Sequence, residues 1–160
     1  MKALRLIHSE TEGAGTIGDY LASIGAFVEN VALYAGAPVP PDASAYDFIV
    51  SMGGPMNVYE EEMYPFLKTV LQWHEDTFDP PAGAVHLARS ELCPRQAFRC
   101  KNSAALQFHL EVNHAILSAW VSELRQENQI LEKFPEFNPG LSRSARQIYE
   151  NFFADTPDKR

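Results

Sequence analysis

The sequence places residues able to do chemistry at a few points. His109 and Glu111, in Gln107-Phe108-His109-Leu110-Glu111, are two residues apart and share one face wherever the chain stays extended. A carboxylate beside an imidazole fixes its tautomer and raises its basicity, as general-base activation of a nucleophile requires; the same pair also serves as a plain structural contact. Adding His114 would give a metal-binding trio, but the spacing crosses a strand-to-helix junction and matches no standard signature, so no metal is expected. Met52-Gly53-Gly54-Pro55 puts a double glycine at the end of an apolar run, where backbone N–H groups can face a crevice and stabilise an oxyanion, or simply make a turn. Gly13-Ala14-Gly15-Thr16-Ile17-Gly18 is a literal G-x-G-x-x-G, a pattern that can cradle a pyrophosphate at a helix N-terminus. Its first glycine lies well beyond the preceding strand, and no acidic residue closes the next strand to take a ribose hydroxyl, so a loop leading into a helix is the expectation, without a cofactor. Neither cysteine, Cys93 or Cys100, stands in the G-x-C-x-G setting that exposes a nucleophile on a strained elbow.

These residues need elements to hold them. Ala3 to Ile7 is a short apolar run ended by His8-Ser9-Glu10, which reads as a buried parallel strand. Ile17, Tyr20, Leu21, Ile24 and Phe27 recur at helical spacing, with Gly25 placed to stop a helix. Phe27 to Tyr34 alternates as a second strand, and a Pro-rich connection leads to a third over Tyr46 to Met52, which runs into the double glycine. A helix is expected over 59–70. Short strands follow at 71–74, 85–88, 96–99 and 104–108, with Trp73 to Phe78 read as the start of a hairpin bearing solvated carboxylates. Asn113 to Phe153 is helical by periodicity, with a break expected at Pro135 to Gly140 and fraying over 154–160. Strand, helix, strand, strand and glycine turn open an α/β fold.

Composition sets the boundaries. The chain has 160 residues, 46% hydrophobic and 21% charged, which predicts one globular domain over 1–160. Thirteen Lys and Arg against 21 Asp and Glu give a net charge of -8, a field that repels phosphate backbones and anionic lipid, so no nucleic acid is expected as partner. Two cysteines are too few for a disulfide framework, and Met1 to His8 lacks the long apolar stretch of an export signal. No membrane segment and a cytoplasmic location are the expectation.

Taken in order, SMGGPMNVYE at 51–60, YPFLK at 64–68, QWHEDTFDPPAGAVHLARSELCPRQAFR at 72–99 and LQFHLEV at 106–112 resemble the class I glutamine amidotransferases, specifically the stand-alone, GMP synthase-like proteins. The resemblance extends over nearly the whole chain. It implies a flavodoxin-like α/β open sheet with flanking helices. The implied activity is hydrolysis of the glutamine side-chain amide through a cysteine thioester, with ammonia passed to an acceptor on a synthase partner or domain. It further implies that His109 is the base, Glu111 its orienting group, and Gly53 and Gly54 part of the oxyanion hole.

The sequence departs from that pattern at one place. Between Lys68 and Leu71 stand only Thr69 and Val70, where family members carry several tens of residues, including a central strand and the G-x-C-x-G elbow. The expectation is a scaffold shortened by an internal deletion near 68–71, with little or no glutaminase activity because its nucleophile is missing. Loss of a central strand also leaves backbone groups unpaired beside the third strand, so homo-oligomerisation or strand exchange is expected. A non-catalytic binding or regulatory module on the same scaffold is the alternative.

Overall fold

The computed structural model describes residues 1–56, 60, 62–64, 82–91, 93–123 and 129–154. They fall into two compact units, one of residues 1–54 and 110–160 and one of residues 55–109. The expected deletion point near 68–71, the strand at 71–74, the Trp73 to Phe78 cluster, most of the 59–70 helix and the tail beyond Ala154 lie outside the described residues.

The first unit is built on a parallel sheet of β1 (Lys2–Ile7), β2 (Phe27–Ala32) and β3 (Phe48–Ser51) in the order β2-β1-β3. Central β1 carries Ala3, Leu4 and Leu6, all buried, because a parallel strand covered on both faces needs apolar groups on both. Helix α1 (Gly15–Ser23) connects β1 to β2. It ends where the sequence placed the stop: Gly25 is left-handed at φ 69°, its amide donates to Ala22 O and the Ala26 amide to Leu21 O, closing the last turn with two reversed bonds. The second strand is shorter than the alternation suggested, since Leu33–Ala35 tightens into a 3-10 turn that buries Leu33.

Helix α2 (His114–Glu123) and the long helix α3 (Gln129–Ala154) complete the unit. The expected break at Pro135 to Gly140 is not there: α3 runs unbroken through both Pro135 and Pro139. The two prolines are one turn apart and exposed, so the carbonyls that lose a helical N–H partner lie on the side that water reaches. The far end of α3 is held by packing. Ala145, Tyr149 and Phe153, spaced by four, form its buried stripe. Tyr20 of α1 stacks near Tyr149 and Phe153 (centroids 5.6 and 5.8 Å), and Phe48 of β3 meets Phe153 edge-on at 5.0 Å. One aromatic cluster thus joins α1, α3 and the sheet.

The second unit holds an antiparallel sheet of β4 (Val85–Ala88), β5 (Ala97–Cys100) and β6 (Ser103–Leu106), in that order. Three of the four strands expected from the turn-rich sequence are therefore present. Lys101, at φ 54°, turns the β5–β6 hairpin with Asn102, and β4 meets β5 with a register shift between His86 and Ala88.

Candidate functional site

The double glycine lies where the sequence placed it, directly after β3. Met52 donates its amide to Leu6 O at 3.0 Å, and its carbonyl accepts a 2.8 Å hydrogen bond from Nδ1 of His8, a residue with no solvent exposure. His8 immediately follows β1, so the carboxyl ends of two adjacent parallel strands are tied together at the entry to Gly53 and Gly54. That is the end of an open α/β sheet where ligands bind. Gly54 is buried and Gly53 half-buried. In the sequence His8 stands out only as the polar end of an apolar run. The available signal was its position at the end of the strand that neighbours the one feeding the glycines.

Glu111 is fixed through its main chain. The Thr16 amide donates to Glu111 O at 2.9 Å, and the Thr16 hydroxyl donates to Leu110 O and shares a hydrogen bond with the Tyr149 hydroxyl, each at 3.1 Å. The N-cap of α1 is Ala14, which has no side chain able to cap, so a carbonyl from the distant 110–111 segment satisfies an amide the helix leaves orphaned. The Thr16, Ile17 and Gly18 amides are already bonded to protein carbonyls, which leaves little for a pyrophosphate. Burial pushes the Tyr149 phenol above its ordinary value; the Thr16 hydrogen bond opposes this and the negative charge of Glu111 adds to it.

His109 is half-buried and ends the second unit, while Glu111 belongs to the first. The strand expected over 104–108 stops at Leu106, and 107–111 follows as a series of bends rather than extended chain. The two-residue spacing therefore does not by itself put the two side chains on one face.

Both cysteines are half-buried free thiols. Cys93 donates from Sγ to Gln107 Oε1 at 3.1 Å, a contact with an amide instead of a base. Cys93, Pro94, Arg95 and Gln107 line an open pocket of about 160 Å³, well below the ~300 Å³ at which small-molecule sites begin. Among the described residues no group of three or more His, Cys, Asp or Glu is arranged to hold a metal ion, and no helix is long and apolar enough to cross a membrane.

No protein-family model matches the chain, and no curated protein does. Solved structures do. A glutamine amidotransferase from Thermotoga maritima superposes with a TM-score of 0.73 at 20% identity, over 96% of this chain and 94% of that one. A glutamine amido transferase from Methylobacillus flagellatus superposes with a TM-score of 0.87 at 18% identity, over 99% of this chain and 96% of that one. The chain has the class I glutamine amidotransferase fold. At such identities the likeness is one of fold, and it agrees with the flavodoxin-like α/β sheet and flanking helices expected from the sequence. Within the first unit, the β3–Gly53-Gly54 junction at the carboxyl end of the parallel sheet is the candidate site.

Proposed function

We propose that this protein is a class I glutamine amidotransferase-like protein of the GMP synthase-like kind that keeps a glutamine-binding crevice and has lost hydrolysis of the glutamine amide. The observation that carries the reading is in the sequence: QFHLE and MGGP are present, and neither Cys93 nor Cys100 stands in G-x-C-x-G. In this reading the chain is a single domain shortened near 68–71.

The chemistry follows from what is kept and what is lost. Amide hydrolysis through a thioester needs a thiolate to attack the carbonyl carbon, a base to take the thiol proton and return it to departing ammonia, and N–H donors for the oxyanion. His109 would be the base, Glu111 its orienting group, and the Gly53 and Gly54 amides the donors. Without the attacking sulfur these groups can hold the glutamine amide but cannot form the acyl-enzyme. The protein then acts as a binding or regulatory module, in the cytoplasm, with glutamine as ligand and a synthase or acceptor domain as partner. Nucleic acid and membrane are not among its partners in this reading.

A competing reading rebuilds the enzyme around Cys93, which shares a unit with His109. Its hydrogen bond to Gln107 counts against that, since an amide oxygen cannot take the thiol proton. Incubation with a glutamine analogue that alkylates activated thiols, followed by intact-mass and peptide mapping, separates the two. The expected result is calorimetric binding of glutamine with no ammonia release and no adduct. An adduct on Cys93 or Cys100 that vanishes in His109→Ala would establish the rebuilt enzyme, and absence of glutamine binding would sink both.

A further inference from the structure

We propose that His8 is a positioning residue for ligand binding: it grips the Met52 carbonyl so that the Gly53 amide is aimed outward, as an oriented donor for a carbonyl oxygen of the ligand. The inference rests on the glutamine-binding reading and deepens it. His8, Met52 and Gly53 all belong to the first unit.

The direction of the Gly53 amide follows from two hydrogen bonds on Met52. Its amide donates to Leu6 O at 3.0 Å and its carbonyl accepts from His8 Nδ1 at 2.8 Å, so both polar groups of Met52 face the β1 side. The described chain has no cis peptide bond, and in a planar trans peptide the N–H lies antiparallel to the C=O. The Gly53 N–H therefore points away from β1. Among the described residues it has no hydrogen-bond partner, and Gly53 is half-buried. A half-buried, unbonded N–H at the carboxyl end of a parallel strand is a donor that a ligand's oxygen can take up.

That direction is not imposed by the local sequence. The last paired residues of β1 and β3 are Leu6 and Ser51, and the two glycines that follow Met52 restrain the peptide planes around them least of all residues. Without a grip the Met52–Gly53 peptide turns more freely, and its N–H samples other directions. His8 supplies the grip. It follows β1 directly and has no solvent exposure. Its partner also sets its tautomer: a carbonyl cannot donate, so Nδ1 carries the hydrogen. An amide whose peptide is held by a buried ring is preorganised, and a preorganised donor receives a ligand's oxygen without first losing orientational freedom.

Met52-Gly53 is the one Met-Gly step in the sequence, so isotope labelling of Met carbonyl carbons and Gly amide nitrogens leaves a single resonance in a carbonyl-filtered NMR spectrum, that of Gly53. Titration with glutamine is expected to move this amide proton downfield, with the same dissociation constant that calorimetry gives. His8→Leu, checked for folding by circular dichroism, should bind glutamine about tenfold more weakly and lose most of the downfield shift. His8→Asn is the rescue: its side-chain amide sets an N–H near the place of Nδ1–H and should restore affinity to within about threefold of the wild type. Urea unfolding accompanies each titration. A pure packing role makes affinity follow stability, whereas the donor role makes the Asn variant bind better than the Leu variant whichever of them is more stable. Should His8→Leu fail to fold, the wild-type Gly53 amide and His8→Asn decide the matter. Equal binding by wild type and His8→Leu, weak binding by His8→Asn, or a Gly53 amide that stays in place while glutamine binds overturns the proposal and leaves the glutamine reading standing. A wild-type chain that binds no glutamine overturns that reading and this inference together.

Discussion

The main chains of Gly15 and Glu111 are in direct contact: a Cβ built on Gly15 would collide with the Glu111 carbonyl oxygen, the same oxygen that accepts the Thr16 amide. The glycine of the G-x-G-x-x-G is thus required by a neighbouring segment of its own chain. Gly15 also sits at φ 43°, where a side chain is strained. Gly15→Ala should lower stability by about 2–4 kcal/mol, overpacking and left-handed strain together. Urea titration measures this, and a loss below about 1 kcal/mol would mean the contact yields easily. Gly13→Ala is the control, since nothing lies within 4 Å of its Cβ position.

His8 ties the carboxyl ends of β1 and β3 together through its hydrogen bond to the Met52 carbonyl. Replacing it in His8→Leu leaves the Met52 carbonyl without its side-chain donor at a buried place, at a cost of about 1–3 kcal/mol. The more telling readout is ligand affinity. If the Gly53-Gly54 amides receive the glutamine amide, His8→Leu should weaken glutamine binding in calorimetry more than Gly13→Ala does. Equal affinities would assign His8 a purely structural role.

What the sequence disclosed and what it hid have physical reasons. β1, α1 and β3 were legible because short apolar runs and one 3.6-residue period need no distant partner to be recognised, and Gly25 stops α1 by its own freedom at positive φ. The partner of the uncapped α1 N-terminus was not legible. The Glu111 carbonyl arrives from 95 residues away in the chain, and a backbone acceptor leaves no mark in residue identity. His8 was hidden likewise, since its partner is a main-chain oxygen on another strand. The QFHLE motif was legible as residues, but its geometry depended on the chain staying extended, and it bends from Gln107 onward.

The prolines of α3 misled because propensity is local and packing is not. Each lacks the N–H that would close an i to i−4 bond, yet the aromatic stripe at Tyr149 and Phe153 fixes the helix from its other end. Both positions are exposed, so a replacement meets no packing conflict. Pro135→Ala and Pro139→Ala should each raise stability, by about 1–3 kcal/mol, as the missing bond is restored. Denaturant midpoints of the two variants test it; a drop in either would mean the helix is shaped around that proline.

Tyr149 gives the stability a pH signature. Its phenol is pushed above the ordinary value mainly by burial, with Glu111's charge adding to the shift, so the folded state favours the neutral form more than the unfolded chain does. A raised folded value means this contribution is intact below the unfolded tyrosine value of about 10 and fades as pH rises from there through the higher folded value. Stability should therefore fall as the medium becomes alkaline beyond about pH 10. Tyr46 shifts in the same direction but is only half-buried, so solvent screens its effect. Tyr149→Phe separates the two. At neutral pH it loses the hydroxyl shared with Thr16, about 1 kcal/mol. Above pH ~10 it no longer has to ionise a phenol next to Glu111, so its deficit against the wild type should shrink. Urea unfolding on either side of that pH supplies the comparison, and a constant deficit would show that ionisation of Tyr149 is not linked to folding.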